Sequence, residues 1–303
     1  MNNNIAIVIH GGAGEDSAYI RAHLQEYKNG LQEALESGRK VLVNKGTSMD
    51  AVCTAVKSLE DNILFNAGRG SALNNNGVVE MDAAVMNGAD LKAGAVAMLR
   101  QVKNPVALAR AVMEKTSHVL LAGYGALDFA ADLGMELMDQ SYFVSQHQLD
   151  ELASSRNISK EKLLRKPTKG TVGAVALDQH GNIAAATSTG GTTNSLPARI
   201  GDSCQIGSGC YANNDTCAVS GTGDGEILIR NVSAHSLSML MESGKFSLQQ
   251  ACDLVVHERN KLTGDIGLIC VNQNAEIGIS FNSERMHRAW ARNLEAVQVK
   301  IYP

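Results

Sequence analysis

The chain is expected to fold as an α+β protein in which stacked sheets are covered by helical layers. Strand patterns arrive in groups and helical patterns arrive in groups, which disfavours the regular alternation of a doubly wound parallel sheet. Aromatic residues make up only 4% of the 303 positions while glycine reaches 29, so the layers must be packed by small side chains. The hydrophobic share of 44% and charged share of 19% are those of a globular chain long enough for one large domain or two small ones.

The elements follow in order. "NIAIVIH" is a short buried strand closed by the glycines of "HGGAG". Residues 17–44 carry apolar positions at helical spacing. "TSMDAVCTAVKSLEDN" is a second helix with Thr47 or Ser48 as its N-cap. "GVVEMDAAVMNG" and "LKAGAVAML" are two strands joined by a Gly-Ala-Asp turn. "NPVALARAVMEKT" is a helix with proline in its first turn, and "GALDFAADLGM" is another. Residues 139–170 are polar, charged and weakly periodic, and are expected to be a flexible linker with a short helix at "SKEKLLR". "TVGAVALD", a "QHGN" turn and "IAAATST" then make a hairpin. "TCAVSGTGDGEILIRN" reads as a strand and loop, and "SAHSLSMLMESG" and "SLQQACDLVVHER" as helices. "GLICVN" and "IGISFN" form a hairpin that closes the chain.

Several function classes lose support at this level. The net charge is −4 with no basic tract, so neither nucleic acid nor a membrane surface has an electrostatic partner here. "MNNNIAIVIHGGAG" lacks the basic and apolar regions of a signal peptide, and no apolar run is long enough to span a bilayer. The six cysteines form no CxxC pair, and the expectation is buried free thiols in a reducing cytoplasm. The histidines lack metal-ligand spacing, and His10 is read as a loop histidine packed in place. "GTGDGE" lacks both the strand–GxGxxG–helix order and a P-loop lysine, so it is not a nucleotide motif.

The chemistry sits around "KGTVGAVALD". Strand propensity alone accounts for a threonine at 171. A second reading has the chain cut between Gly170 and Thr171. A threonine hydroxyl needs a base, and the α-amine of a chain-starting threonine, with a pKa near about 7.7–8.0, is an economical one. The glycine tolerates strained angles at the scissile bond, and the strand holds the new amine. Downstream, the Thr222 hydroxyl and the Gly223 N–H are candidate donors to a carbonyl oxygen that gains charge. Arg199 and Asp202 offer a cation and an anion for an amino-acid-like substrate, although as a pair they also fit a surface salt bridge.

In sum, the chain resembles the plant-type (type III) asparaginases, or isoaspartyl peptidases, of the N-terminal-nucleophile hydrolases. The resemblance rests on "HGGAG" at 10–14, "LFNAGRGSALNNNGVVEMDAAVMNG" at 64–88, "GTVGAVALD" at 170–178, "AAATSTGG" at 184–191, "ARIGDS" at 198–203, "GSGCYANN" at 207–214 and "AVSGTGDGE" at 218–226. It implies a four-layer αββα sandwich in a single domain. It implies autocatalytic cleavage into an α subunit of 1–170 and a β subunit of 171–303, assembled as an (αβ)₂ heterotetramer. The resemblance makes Thr171 the nucleophile, assisted by Thr189, and gives the oxyanion site to Thr222 and Gly223. Arg199 and Asp202 would hold the α-carboxylate and α-amine, Gly225 would line the same pocket, and Asn66 would face the nucleophile. It also implies a structural sodium ion, and no catalytic cofactor. The ion would be held mainly by backbone carbonyls of Leu59, Glu60, Asn62, Phe65, Ala67 and Arg69.

The implied activity is hydrolysis of β-aspartyl dipeptides and of L-asparagine to aspartate and ammonia. Alternatives are a glycosylasparaginase-like amidase, and an unprocessed, inactive relative that acts as a binding protein. Three departures from the family pattern bear on substrate preference and rate: Ala198 in place of the glycine of "PGR", Asn87 in place of the aspartate of "MDG", and "GGTTN" for "GGMTN" or "GGIVN".

Overall fold

The computed structural model describes residues 4–156, 170–262 and 264–303. Strand β1 (Ala6–Gly14) runs through the glycines that were expected to end it, with an irregularity between His10 and Ala13. The helical stretch that follows is broken at His23 into α1 (Ala18–Ala22) and α2 (Leu24–Val43). Helix α3 (Ser48–Glu60) starts at Thr47, whose side chain accepts from the Asp50 N–H. Strands β2 (Met81–Asn87) and β3 (Ala93–Leu99) pair antiparallel, and α4 (Pro105–Lys115) has its proline at the first turn. Short β4 (Leu120–Ala122) pairs parallel to β3, a strand too brief to show periodicity, and α5 (Gly123–Asp132) follows.

The linker expected over 139–170 is corrected in its first half. Residues there form α6 (Gln140–Phe143) and α7 (Gln146–Arg156), anchored by buried Phe143 and Leu152. Two apolar anchors in a polar stretch give almost no amphipathic signal, yet each fills a slot in the core. The helix expected at "SKEKLLR" lies outside the described residues.

The hairpin of β5 (Val172–Leu177) and β6 (Ile183–Thr189) forms as expected, followed by β7 (Cys210–Ala212) and β8 (Ala218–Gly223). The segment after β8, expected to be a loop, is helix α8 (Gly225–Asn231), followed by α9 (Ser233–Glu242) and α10 (Leu248–Asp253). The hairpin of β9 (Ile266–Val271) and β10 (Ile277–Phe281) does not close the chain. β11 (Arg285–Arg292) and β12 (Gln298–Lys300) come after it. Three arginines and a histidine hide β11 from a hydrophobicity reading. Arg288 is nonetheless buried by donating to the Met286 and Tyr302 carbonyls, and Arg285 by donating to Glu15 O.

Among the described residues the strands form two sheets, in the orders β12-β11-β1-β5-β6-β2-β3-β4 and β10-β9-β8-β7. Alternation along the strands sets the layers. In β5, Val172, Ala174 and Ala176 face the helical core of α2, α3 and α4, while Val175 and Leu177 face the second sheet. In β9, Ile269 and Val271 face the larger sheet, while Leu268 and Cys270 meet α9 and α10. The result is the expected αββα order in a mixed α+β architecture. Between the sheets the contacts are largely alanine: Ala6, Ala84, Ala95, Ala185 and Ala218. That is where the scarcity of aromatics is used. The six cysteines are free and buried, as expected of small apolar fillers. No described helix is long and apolar enough to cross a membrane.

Candidate active site

The β5–β6 hairpin brings the two key threonines together. Val172 lies opposite Ser188, so one step outward sets Thr171 opposite Thr189. By alternation both point toward the second sheet, at the rim of the inter-sheet layer. The Thr171 hydroxyl donates to Thr189 Oγ1 at 3.3 Å. Thr189 Oγ1 donates to the Gly170 carbonyl at 3.1 Å and accepts from Gly191 N at 3.1 Å. One hydrogen-bonded chain therefore links the Thr171 hydroxyl to the carbonyl of the bond that precedes it.

Asn66 completes that arrangement. Its Nδ2 donates to Gly170 O at 2.7 Å and to Gly191 O at 2.8 Å, and its Oδ1 accepts from Ala72 N at 2.7 Å. The Gly170 carbonyl oxygen thus receives two donors, the pattern that stabilises charge developing on an oxygen.

His10 supports the nucleophile from beneath. Its Nδ1 donates to Thr171 O at 2.9 Å, and Ser220 Oγ donates to Nε2 at 2.9 Å. The carbonyl can only accept, so that bond fixes the Nδ1–H tautomer. Burial pushes His10 down to about 3, against the opposing pull of the Thr171 carbonyl, so the ring is neutral. It is packed in place, as expected, but on strand β1 rather than in a loop. Glycine at 173 is required, because a methyl there would overlap Ser220 Oγ and His10 Nε2.

The segment that carries Arg199 and Asp202 is pinned by two carboxylates on one face of β2 and its approach. Glu80 Oε2 accepts from Ala198 N at 2.8 Å, and Asp82 Oδ2 accepts from Gly201 N at 3.2 Å. Arg199 and Asp202 do not form a surface ion pair with each other. Arg199 instead donates to both oxygens of Glu226, at 3.0 Å each. Asp202 is buried, and among the described residues its Oδ2 has no partner; nor does the neighbouring Ser203 Oγ. Burial pushes Asp202 up to about 7, with Arg199 opposing and Glu226 and Asp82 adding to the rise. A buried carboxylate oxygen without a donor is a site for an arriving cation.

These side chains meet in one cleft. Gly170, Thr171, Thr189, Arg199, Asp202 and Gly223 line it, together with Gly191, Thr192 and Ser203. Of the last three, Thr192 is the departing residue of "GGTTN", while Gly191 and Ser203 were given no role of their own from sequence. Their signal was adjacency alone, within "STGGTT" and "GDS". Thr222 lies one residue before Gly223 on β8, with its hydroxyl oxygen accepting from Ala13 N at 3.2 Å. Gly223 has φ +114°, and a side chain there would strike the Asp265 backbone. Gly225 abuts the cleft pair, since a methyl on it would stand 2.7 Å from Arg199 Nη2 and 2.8 Å from Asp202 Oδ1.

The three departures separate by place. Asn87 is opposite Ala184, at the far end of β2 from the Asp82–Thr189 pair, and does not reach the cleft. Thr192 lines the cleft. Ala198 holds φ +65°, a left-handed conformation that costs an L-residue with a Cβ about 1–2 kcal/mol. Ala198→Gly is expected to raise the melting temperature by about 1–2 °C once glycine's greater unfolded entropy is set against the relief. An unchanged or lower midpoint in differential scanning calorimetry would overturn this.

Leu59 and Glu60 end α3, Asn62, Phe65 and Ala67 lie on the turn that follows, and Arg69 lies in a single 3₁₀ turn at Gly68–Gly70. A methyl on Gly70 would overlap the Phe65 carbonyl and lie 2.6 Å from the Ile63 carbonyl, and one on Gly68 would overlap the Glu60 carbonyl. Gly68 and Gly70 therefore pack directly against carbonyls of this loop; oxygen donors of this kind suit a hard cation, although the Leu59, Asn62, Phe65 and Ala67 carbonyls each already accept a backbone N–H. Among the described residues no cluster of three or more histidine, cysteine or acidic side chains is placed to hold a metal ion.

Comparison with known proteins places this geometry in context. Residues 3–301 match the asparaginase family model. The chain is 46% identical over 298 residues to an isoaspartyl peptidase of Salmonella typhimurium, covering 95% of both chains. It is 45% identical to the isoaspartyl peptidase of Escherichia coli, covering 94% of this chain and 92% of that one. A probable isoaspartyl peptidase/L-asparaginase 2 of Arabidopsis thaliana is 38% identical and is covered over 98% of both.

Proposed function

The chain belongs to the asparaginase family, and on that premise we propose that it is an autoprocessed threonine hydrolase of β-aspartyl amides. Its substrates in this reading are isoaspartyl dipeptides and L-asparagine, the activities named for its relatives. The observation that carries the reading is the hydrogen-bonded chain from the Thr171 hydroxyl through Thr189 to the Gly170 carbonyl.

Cleavage comes first. Thr171 Oγ attacks the Gly170 carbonyl carbon, and its proton passes through Thr189 toward the carbonyl oxygen, which Asn66 also holds. The carbon–nitrogen bond breaks as the proton moves on to Thr171 N, leaving an ester. Water hydrolyses the ester to a Gly170 carboxylate and a free Thr171. Fragments 1–170 and 171–303 result, and they stay associated because β1 and β5 are neighbours in one sheet.

Hydrolysis of substrate follows. The Thr171 α-amine takes the proton of its own hydroxyl. The substrate's side-chain carbonyl is attacked, with Thr222 and Gly223 donating to the oxyanion. Arg199 receives the α-carboxylate, while Asp202, with its open Oδ2, receives the α-ammonium. The Thr171 α-ammonium so formed returns its proton to the departing amine as the carbon–nitrogen bond breaks, leaving an aspartyl ester on Thr171 Oγ, and water hydrolyses that ester to release aspartate.

The acid limb of activity has two sources. Asp202 loses its charge as pH falls through about 7, and the α-amine gains a proton near about 7.7–8.0. KM is therefore expected to rise below pH 7, and log kcat/KM to approach a slope of about two. A KM that stays flat down to pH 5 would sink the assigned role of Asp202.

The loop at residues 59–69 is assigned a structural sodium ion. Replacing sodium by tetramethylammonium is expected to lower the melting temperature; no change would remove the assignment. A cytoplasmic (αβ)₂ assembly completes the reading. It is tested first by intact-mass detection of the two fragments together with aspartate release from β-aspartyl-leucine. Preferential release from an N-linked sugar–asparagine would favour the glycosylasparaginase alternative.

A further inference from the structure

Arg199 has more hydrogen-bonding capacity than a substrate carboxylate uses. Its Nε and Nη2 donate to the two oxygens of Glu226 at 3.0 Å each, a side-on fork. Two glycine backbones crowd the guanidinium: a methyl on Gly201 would stand 2.8 Å from Nη1, and one on Gly225 would stand 2.7 Å from Nη2. Among the described residues no acceptor is hydrogen-bonded to Nη1. Arg199 lines the cleft and Glu226 does not. The Glu226 side chain is 57% exposed, against 18% for that of Arg199, so the carboxylate clasps the arginine from the solvent side.

We propose that Glu226 is a positioning residue for recognition of the substrate's α-carboxylate: it holds Arg199 by the Nε–Nη2 edge and leaves the Nη1 edge for the incoming carboxylate. The proposal rests on the reading above, in which Arg199 receives that group. An arginine without an anchor keeps its rotamer freedom until substrate binds, and the ordering then weakens binding. An arginine clasped by Glu226 and walled by glycines is ordered in advance, so its planar fork meets a planar carboxylate with little further loss. In the opposite arrangement Glu226 would compete with the substrate for the same fork, and its removal would tighten binding.

The sign of one measurement decides between them. Glu226→Gln keeps the shape and removes the charge, at a position exposed enough to leave folding and fragment formation intact. With processed enzyme, KM for β-aspartyl-leucine and the inhibition constants of L-aspartate and succinate are expected to rise about tenfold, while kcat stays within about twofold. Succinate keeps the carboxylate that Arg199 would hold. β-Alanine lacks it, and its inhibition constant is expected to stay within about twofold of wild type. Glu226→Asp, which keeps the charge but shortens the reach, is expected to fall between. An unchanged or lower KM would overturn the proposal, as would an equal loss for β-alanine, which marks a merely structural effect. Wild-type enzyme that fails to hydrolyse the dipeptide would sink the functional reading itself. Wild-type turnover with an unaffected Glu226→Gln would sink only the positioning role.

Discussion

Thr171→Ala is expected to remain one uncut chain and to hydrolyse β-aspartyl-leucine no faster than background. Two losses coincide in this single substitution. The hydroxyl that attacks Gly170 is the hydroxyl that later attacks substrate, so without it neither the amine nor the nucleophile ever forms. Removing a nucleophile of this kind lowers kcat by roughly 10⁴–10⁶. The fold should survive, because among the described residues the only side-chain bond lost is the 3.3 Å contact to Thr189. Intact-mass spectrometry and an aspartate assay read the two losses separately. Thr171→Ser, which keeps the hydroxyl, is expected to be cut and to retain activity. Cleavage in the alanine variant, or turnover by it, would remove Thr171 from its assigned role. A wild-type chain that stays whole and inactive would leave the family and fold standing and would favour a binding protein.

Thr222→Val is expected to separate the two reactions that Thr171→Ala abolishes together. The Gly170 carbonyl is served by Asn66 and Thr189, not by Thr222. Cleavage should therefore proceed at close to the wild-type rate. Substrate hydrolysis should lose about 10²–10³ in kcat, the usual effect of deleting one oxyanion donor. Valine also leaves the Ala13 N–H without its acceptor, at a cost of about 1–3 kcal/mol in stability. A melting curve controls for that cost, and Thr222→Ser should restore both partners. Slow cleavage with normal turnover of the processed enzyme would reverse the assignment of the two oxyanion sites.

The sequence by itself determined a good deal. Alternation placed the β5–β6 hairpin and showed that Thr171 and Thr189 belong to one local unit, because an antiparallel hairpin with a short turn admits essentially one register. The N-cap at Thr47 and the proline-started helix α4 were legible for the same reason: their signals are local. The ordered motifs carried the family and most of the cleft residues.

Other features only the tertiary structure decided. The buried arginines of β11 read as surface until the carbonyls of Glu15, Met286 and Tyr302 receive their protons. Helices α6 and α7 read as linker because Phe143 and Leu152 make a pattern only when the core is there to meet them. "EILIRN" has strand-like composition, and its helix is set by packing against β8 and α9. Arg199 sits beside Asp202 in sequence, yet its partner is Glu226, which is 27 positions away. Hydrogen-bond partners, burial and charge pairing are properties of distance in space, and distance in sequence constrains them only within a single turn or hairpin.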